Sequence, residues 1–236
     1  MFTDYSLDKL EEKIRNVERH FAKRISEGTI VGEEAITERL IQMLETAING
    51  FVLSCNSISQ PFGVRGSNDT QKKVTLQTEI IKAPRFMGRS TVAKGMNSEE
   101  SISGADAMIV LESGLPGIEA HKGFLFQAKR HTGNGRFRSL GTAEIKEQCQ
   151  KMQRFTSSAY AVVYHADGFY FFDSSKTTDQ NWHSFKSNDA IPLSKIIRLF
   201  MVCKIGDHKL NAINKTAFAN FLSSAQIDQS LVISTT

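Results

Sequence analysis

The sequence predicts an α/β fold: a central mixed β-sheet flanked by helices, preceded by an amphipathic N-terminal helix. Three observations lead there. Segments with apolar residues at helical spacing alternate with short runs rich in β-branched and aromatic residues. Their order is two helices, three strands, a helix, two strands and two further helices, an interleaving that lays helices on the faces of a sheet. The chain has 236 residues, 40% hydrophobic and 23% charged, enough for one sizeable core in an ordinary globular protein.

Residues 6–27 carry Leu7, Leu10, Ile14, Val17 and Phe21 at alternating spacings of three and four, which predicts a helix with a heptad seam. That seam suits either the domain's own core or a second copy of the helix. Gly28 breaks it, and a second helix is expected from about Val31 to Asn49, closed by Gly50. Residues 57–70 read as a loop, 73–82 as a strand, and the glycine- and serine-rich stretch 84–104 as an open loop. Two apolar strands follow, Ala105 to Leu111 and Gly123 to Arg130. The segment 131–141 is basic and glycine-rich, and Thr142 starts a helix running to about Phe155. Tyr160–Tyr164 and Gly168–Phe172 form a strand pair. Pro192 opens a helix over Leu193 to Ile205, Lys215–Ser224 is a last helix, and the C-terminal residues are expected to fray. There is no internal repeat. The organisation is a helical appendage, residues 1–28, and one domain, residues 29–236.

Composition excludes several classes. The net charge of +4 is mild and argues for nucleic acid only where it clusters. Cys55, Cys149 and Cys203 are far apart and without zinc-ligand spacing, which suits a reduced, cytoplasmic chain. No basic segment followed by an apolar one marks a signal peptide, and the apolar run near Ile196–Ile205 is too short and too charged to cross a bilayer, so no membrane association is expected. A P-loop signature is absent, so any nucleotide hydrolysis would fall to a separate ATPase or sensor protein.

The chemistry concentrates at two strand ends. The acid Asp106 stands at the head of one apolar run, and Gln127 and Lys129 close the other. Because strand side chains alternate, Gln127 and Lys129 share a face with Leu125, while Phe124 and Phe126 take the opposite face. Asp106, the Gln127 amide oxygen and the Ala128 carbonyl are the hard oxygen donors that Mg²⁺ favours. A lysine beside them can position or deprotonate a water, or stabilise phosphate charge. The plainer readings are a turn-capping Asp106 and a solvated strand end at Lys129-Arg130.

Gly104-Ala105-Asp106 and an apolar run, then Phe126-Gln127-Ala128-Lys129, resemble the PD-(D/E)xK nuclease superfamily in its variant with Gln as the middle residue. The resemblance covers about residues 30–173. It departs from the usual pattern in having no proline before the acid and a neutral Gln127 in place of a second carboxylate. It implies a restriction-endonuclease-like fold and Mg²⁺-dependent cleavage of DNA, with Mn²⁺ as a substitute. Asp106, Gln127, Lys129 and Glu33 would be catalytic, and Asp106, Gln127, Ala128 and Glu33 would bind the metal. Many relatives supply an acid from the helix before the sheet; Glu33, beside the Ile36/Leu40 stripe, is the choice, with Glu34 second. The alternative is that both acids simply suit a helix N-terminus. Relatives also place a polar residue of the following helix near the scissile phosphate, here Gln148, which reads equally as a solvated glutamine. Tyr164 reads as closing the same cleft or as core. Arg130, Arg136 and Arg138 would track DNA phosphates. Cutting both strands calls for a homodimer, in restriction, phage defence or DNA repair. The alternative function is a catalytically inactive nuclease-fold module that binds nucleic acid or a partner protein.

Overall fold

The structure is a computed structural model that describes residues 2–30, 32–55, 72–83, 102–116, 119–130, 142–165, 168–177 and 190–236. The loop expected at 57–70, most of that expected at 84–104 and the basic segment 131–141 lie outside the described residues. So do the side chains of Glu33, Arg130, Thr142, His165 and Thr177.

The chain opens with helix α1 (Asp4–Ser26), capped by the Thr3 hydroxyl, which accepts from the Ser6 N–H, and carrying Asp4 in its first turn and Lys23 and Arg24 in its last. Its seam residues Leu7, Leu10, Ile14 and Phe21 are buried in this chain's own core, against the sheet and its neighbouring helices. Helix α2 (Glu33–Ile48) buries Ile36, Leu40, Leu44 and Ile48 in the same core. Strand β1 (Val52–Cys55), a short run absent from the sequence expectation, pairs with β2 (Lys72–Lys82). There follow β3 (Ala107–Ser113), β4 (Ala120–Arg130), α3 (Thr142–Phe155), β5 (Ala159–His165), β6 (Gly168–Asp173), the single turn α4 (Ser174–Thr177), β7 (Ile191–Pro192), α5 (Leu193–Met201), α6 (Lys215–Ser224) and β8 (Gln229–Thr235).

These strands form one mixed sheet in the order β1-β2-β8-β3-β4-β5-β6-β7, parallel at β8/β3 and β4/β5 and antiparallel elsewhere. Helices α1, α2 and α5 cover one face, packing on Ile109, Phe124, Phe126, Val162 and Phe171. Helices α3 and α6 cover the other, packing on Met108, Leu125, Val163 and Phe172. Among the described residues no helix is long and apolar enough to cross a membrane.

Two expectations are corrected. The C-terminal residues do not fray: β8 lies between β2 and β3, with Leu231 and Ile233 fully buried on one face and Val232 on the other. A strand with neighbours on both sides has every backbone group paired, which offsets its polar flanks. Helix α5 stops at Met201, four residues before the expected end, because Cys203 adopts a positive φ of 59° and the chain turns there. Lys122 seals this helix end, donating from Nζ to the carbonyls of Phe200 and Ile205 at 2.5 and 2.8 Å.

Candidate functional site

Strands β3 and β4 pair so that Ala107 faces Phe126, which brings the residue before β3 against the residues after Phe126. Asp106 sits in the bend that leads into β3, one residue outside the strand. Its N–H donates to the Phe126 carbonyl at 3.0 Å, pinning the bend to β4. Its carboxylate then accepts two hydrogen bonds through Oδ2, from the Ala128 N–H and the Gln127 Nε2, each at 2.8 Å.

Gln127 is only 4% exposed. Its Nε2 also donates to the Ala128 carbonyl at 3.2 Å, while its Oε1 accepts no hydrogen bond from the described residues. The neutral residue in the middle of the motif is thus the clamp that orients the acid. Leu125, on the same face, packs into the core beneath α3, whereas Phe124, Phe126 and Ala128 point into the α1/α2/α5 layer. Gln127 and Lys129 therefore belong to the α3 side of the sheet.

Helix α3 completes that side. Lys129 Nζ lies 2.7 Å from Glu144 Oε1 in the first turn of α3, with the lysine side chain 12% exposed and the glutamate 60%. Glu144 was not singled out from sequence, although Gln148, one turn further along the same helix face, was. The spacing of four residues is the signal that links them. Gln148 Nε2 makes a long contact of 3.5 Å to the same Glu144 oxygen, and its own Oε1 is buried without a hydrogen-bond partner among the described residues. The turn bearing Asp106 is pressed onto α3 at Gly104. A Cβ there would sit 2.5 Å from the Gln148 carbonyl oxygen, and the backbone has a φ of +69°. Both demand glycine.

No family model, curated protein or solved structure matches this chain. The geometry of the site therefore stands on its own.

Other predicted residues fall elsewhere or outside the described residues. Glu34 is exposed, and Glu38 pairs with Lys82 at 2.9 Å. The Glu33 side chain and that of Arg130 lie outside the described residues, as do Arg136 and Arg138 entirely; helix α2 itself packs on the face opposite Gln127. Tyr164 is a core residue: its hydroxyl is 2.9 Å from Thr37 Oγ1 and its ring meets Phe169 edge-on at 5.2 Å.

The oxygens carried at these strand ends are the Asp106 carboxylate, the Ala128 carbonyl and the Gln127 amide oxygen, and α3 beside them carries Gln148 Oε1. That set fits a hard divalent cation in kind. It is poor in charge, since among the described residues no three His, Cys, Asp or Glu side chains group as metal ligands.

Proposed function

We propose that this chain is a Mg²⁺-dependent endonuclease that hydrolyses phosphodiester bonds in DNA, with Mn²⁺ as a substitute, on a restriction-endonuclease-like fold. The observation that carries the reading is the junction of Asp106 with Gln127 and Ala128 at 2.8 Å, with Lys129 on the same sheet face. A phosphodiesterase needs these two strand ends together, and here an acid, an amide and a lysine meet at the close of two apolar strands.

In this reading Asp106, Gln127 and Ala128, with Glu33 of α2, would hold the cation. A bound cation would act as a Lewis acid and supply a water of lowered pKa. Asp106 is oriented by two hydrogen bonds before any ligand arrives, so it has little freedom to lose on binding. Lys129 presents a cation to the scissile phosphate and steers the attacking water, and Glu144 holds its ammonium in place. Gln148, one turn along α3 from Glu144, carries a buried oxygen with no hydrogen-bond partner among the described residues. Arg130, Arg136 and Arg138 would carry the phosphates on either side. A homodimer would cut both strands, and the setting would be cytoplasmic restriction, phage defence or DNA repair beside a separate ATPase or sensor.

One observation favours a second reading, an inactive module on the same fold that binds nucleic acid or a partner protein. Gln127 brings no charge and spends its amide nitrogen on Asp106, which leaves Asp106 and Glu144 as the acids described at the site.

Plasmid DNA incubated with the protein and Mg²⁺ decides between them. Nicking that EDTA abolishes, and that falls at least about 100-fold in Asp106→Asn and Lys129→Ala, is the expected outcome. Cleavage that survives Lys129→Ala overturns the site. DNA retention that ignores EDTA, with no nicking in Mg²⁺ or Mn²⁺, establishes the second reading instead.

A further inference from the structure

A cavity of about 390 Å³ opens between α1 and the start of α5, on the side of the sheet away from α3. It is of the size that holds a small ligand. Three cations line it, Arg15, Arg19 and Lys195, together with two acids, Glu11 and Glu18.

The acids are already engaged. Glu18, buried at 5% exposure, accepts the Phe169 N–H at 2.8 Å, and Glu11 accepts from Arg15 at 2.8 Å and lies 3.6 Å from Arg198. Two of the three cations are not matched to them. Among the described residues, neither Arg19 nor Lys195 has an ion-pair or hydrogen-bond partner. α1 places Glu11, Arg15 and Arg19 one turn apart along the flank of its buried seam, so the charges form a column facing α5.

The α5 end of the cavity is rich in donors. The helix begins at Pro192, which gives no side-chain cap to the first-turn N–H groups. Ser194, in that first turn, lines the cavity, is 2% exposed, and its hydroxyl has no hydrogen-bond partner among the described residues. A ligand oxygen in the cavity would give this hydroxyl an acceptor.

From this arrangement we infer that the cavity is a binding site for a phosphomonoester: a tetrahedral dianion held by Arg19 and Lys195 with the Ser194 hydroxyl and the open N-terminus of α5. A carboxylate would leave part of this donor set unused, whereas a phosphate has three terminal oxygens for it. The site is independent of the endonuclease reading, since it shares no residue with it and lies on the opposite layer.

The source of the phosphate is either a free nucleotide or the 5′ end of a nucleic acid, and titration calorimetry in EDTA separates the two. Adenosine 5′-monophosphate and a short 5′-phosphorylated oligonucleotide are each titrated into the full chain, with the unphosphorylated oligonucleotide as reference. Saturable binding of at least one phosphorylated probe is expected, weakened at least tenfold in the double variant Arg19→Gln/Lys195→Gln and about fivefold in Ser194→Ala. Asp106→Asn should bind as the wild type does. Arg19 and Lys195 are exposed, so the double variant keeps the fold, which circular dichroism verifies. The tighter probe identifies the source. No saturable binding, binding that the double variant retains, or binding that Asp106→Asn removes overturns the site.

Discussion

Gln127 holds Asp106 through an amide hydrogen bond of 2.8 Å in a pocket where the glutamine is 4% exposed. Replacing that donor with a carboxylate sets two acids against each other at hydrogen-bond distance. Like charges so close cannot both ionise without a cation between them. Gln127→Glu is expected to lower stability in EDTA by about 1–3 kcal/mol. Mg²⁺ should then restore the variant more than it stabilises the wild type, since a ligand that binds only the folded state raises its melting temperature. Thermal unfolding with and without Mg²⁺ measures this. A variant that responds to Mg²⁺ no more than the wild type would remove Asp106 and Gln127 from any cation site.

The turn that delivers Asp106 depends on Gly104. A methyl group there meets the Gln148 backbone at 2.5 Å, and the positive φ adds strain of its own. The conformational penalty is roughly 1–2 kcal/mol, and overpacking adds about 1–3 kcal/mol. Gly104→Ala should therefore lose at least about 2 kcal/mol in urea unfolding, a large share of a typical domain's stability. If the site is catalytic, nicking should fall beyond what the lost stability explains, because α3 carries both Glu144 and Gln148. A loss under about 0.5 kcal/mol would show that the turn is not wedged against the helix.

The helices and the strands flanking Asp106 and Gln127 were legible because their patterns are local. Leu7, Leu10, Ile14 and Phe21 repeat at helical spacing, and Phe124 to Lys129 alternate between faces. What was not legible depends on long-range pairing. The run Leu231-Val232-Ile233 is strand-like, but its polar flanks and terminal place read as fraying until β2 and β3 close on it. Glu144 escaped for a related reason: a first-turn glutamate is usually a favourable helix start, and only the register of β4 under α3 brings Lys129 to it. The Gln127 oxygen was expected to serve as a ligand, and the sequence carries nothing about its nitrogen clamping Asp106.

The place of β8 gives a direct test. Ile233 is fully buried, in a strand paired on both sides. Ile233→Ala removes buried methyl groups from the centre of the sheet and should cost about 2–5 kcal/mol in equilibrium unfolding. Removal of residues 229–236 should abolish folding, because β2 and β3 would lose the strand that joins them. A truncated chain with native circular dichroism and a cooperative thermal transition would contradict the sheet order.

Lys122 offers a prediction in pH. It is 2% exposed, its ammonium lies 4.5 Å from the Phe200 ring centre, and it donates to the carbonyls of Phe200 and Ile205. Burial holds its pKa below the ordinary 10.5, partly offset by interaction with Cys203. The unfolded chain therefore binds the proton more tightly than the folded one. The sign follows: where the folded group has lost its proton and the unfolded one keeps it, stability rises with pH, and the rise ends above 10.5. As pH falls through the lowered folded value, that contribution is lost. Lys122→Met keeps the buried stem but has no proton to exchange, so its stability should lack this alkaline rise relative to the wild type. At neutral pH it removes the Nζ donor from the Ile205 carbonyl and from that of Phe200, which keeps the Cys203 N–H at 3.1 Å, and this should cost about 1–3 kcal/mol. Urea unfolding of both proteins at steps from neutral pH to above 10.5 separates the two effects. Parallel pH curves would mean that Lys122 is not desolvated where it seals the helix.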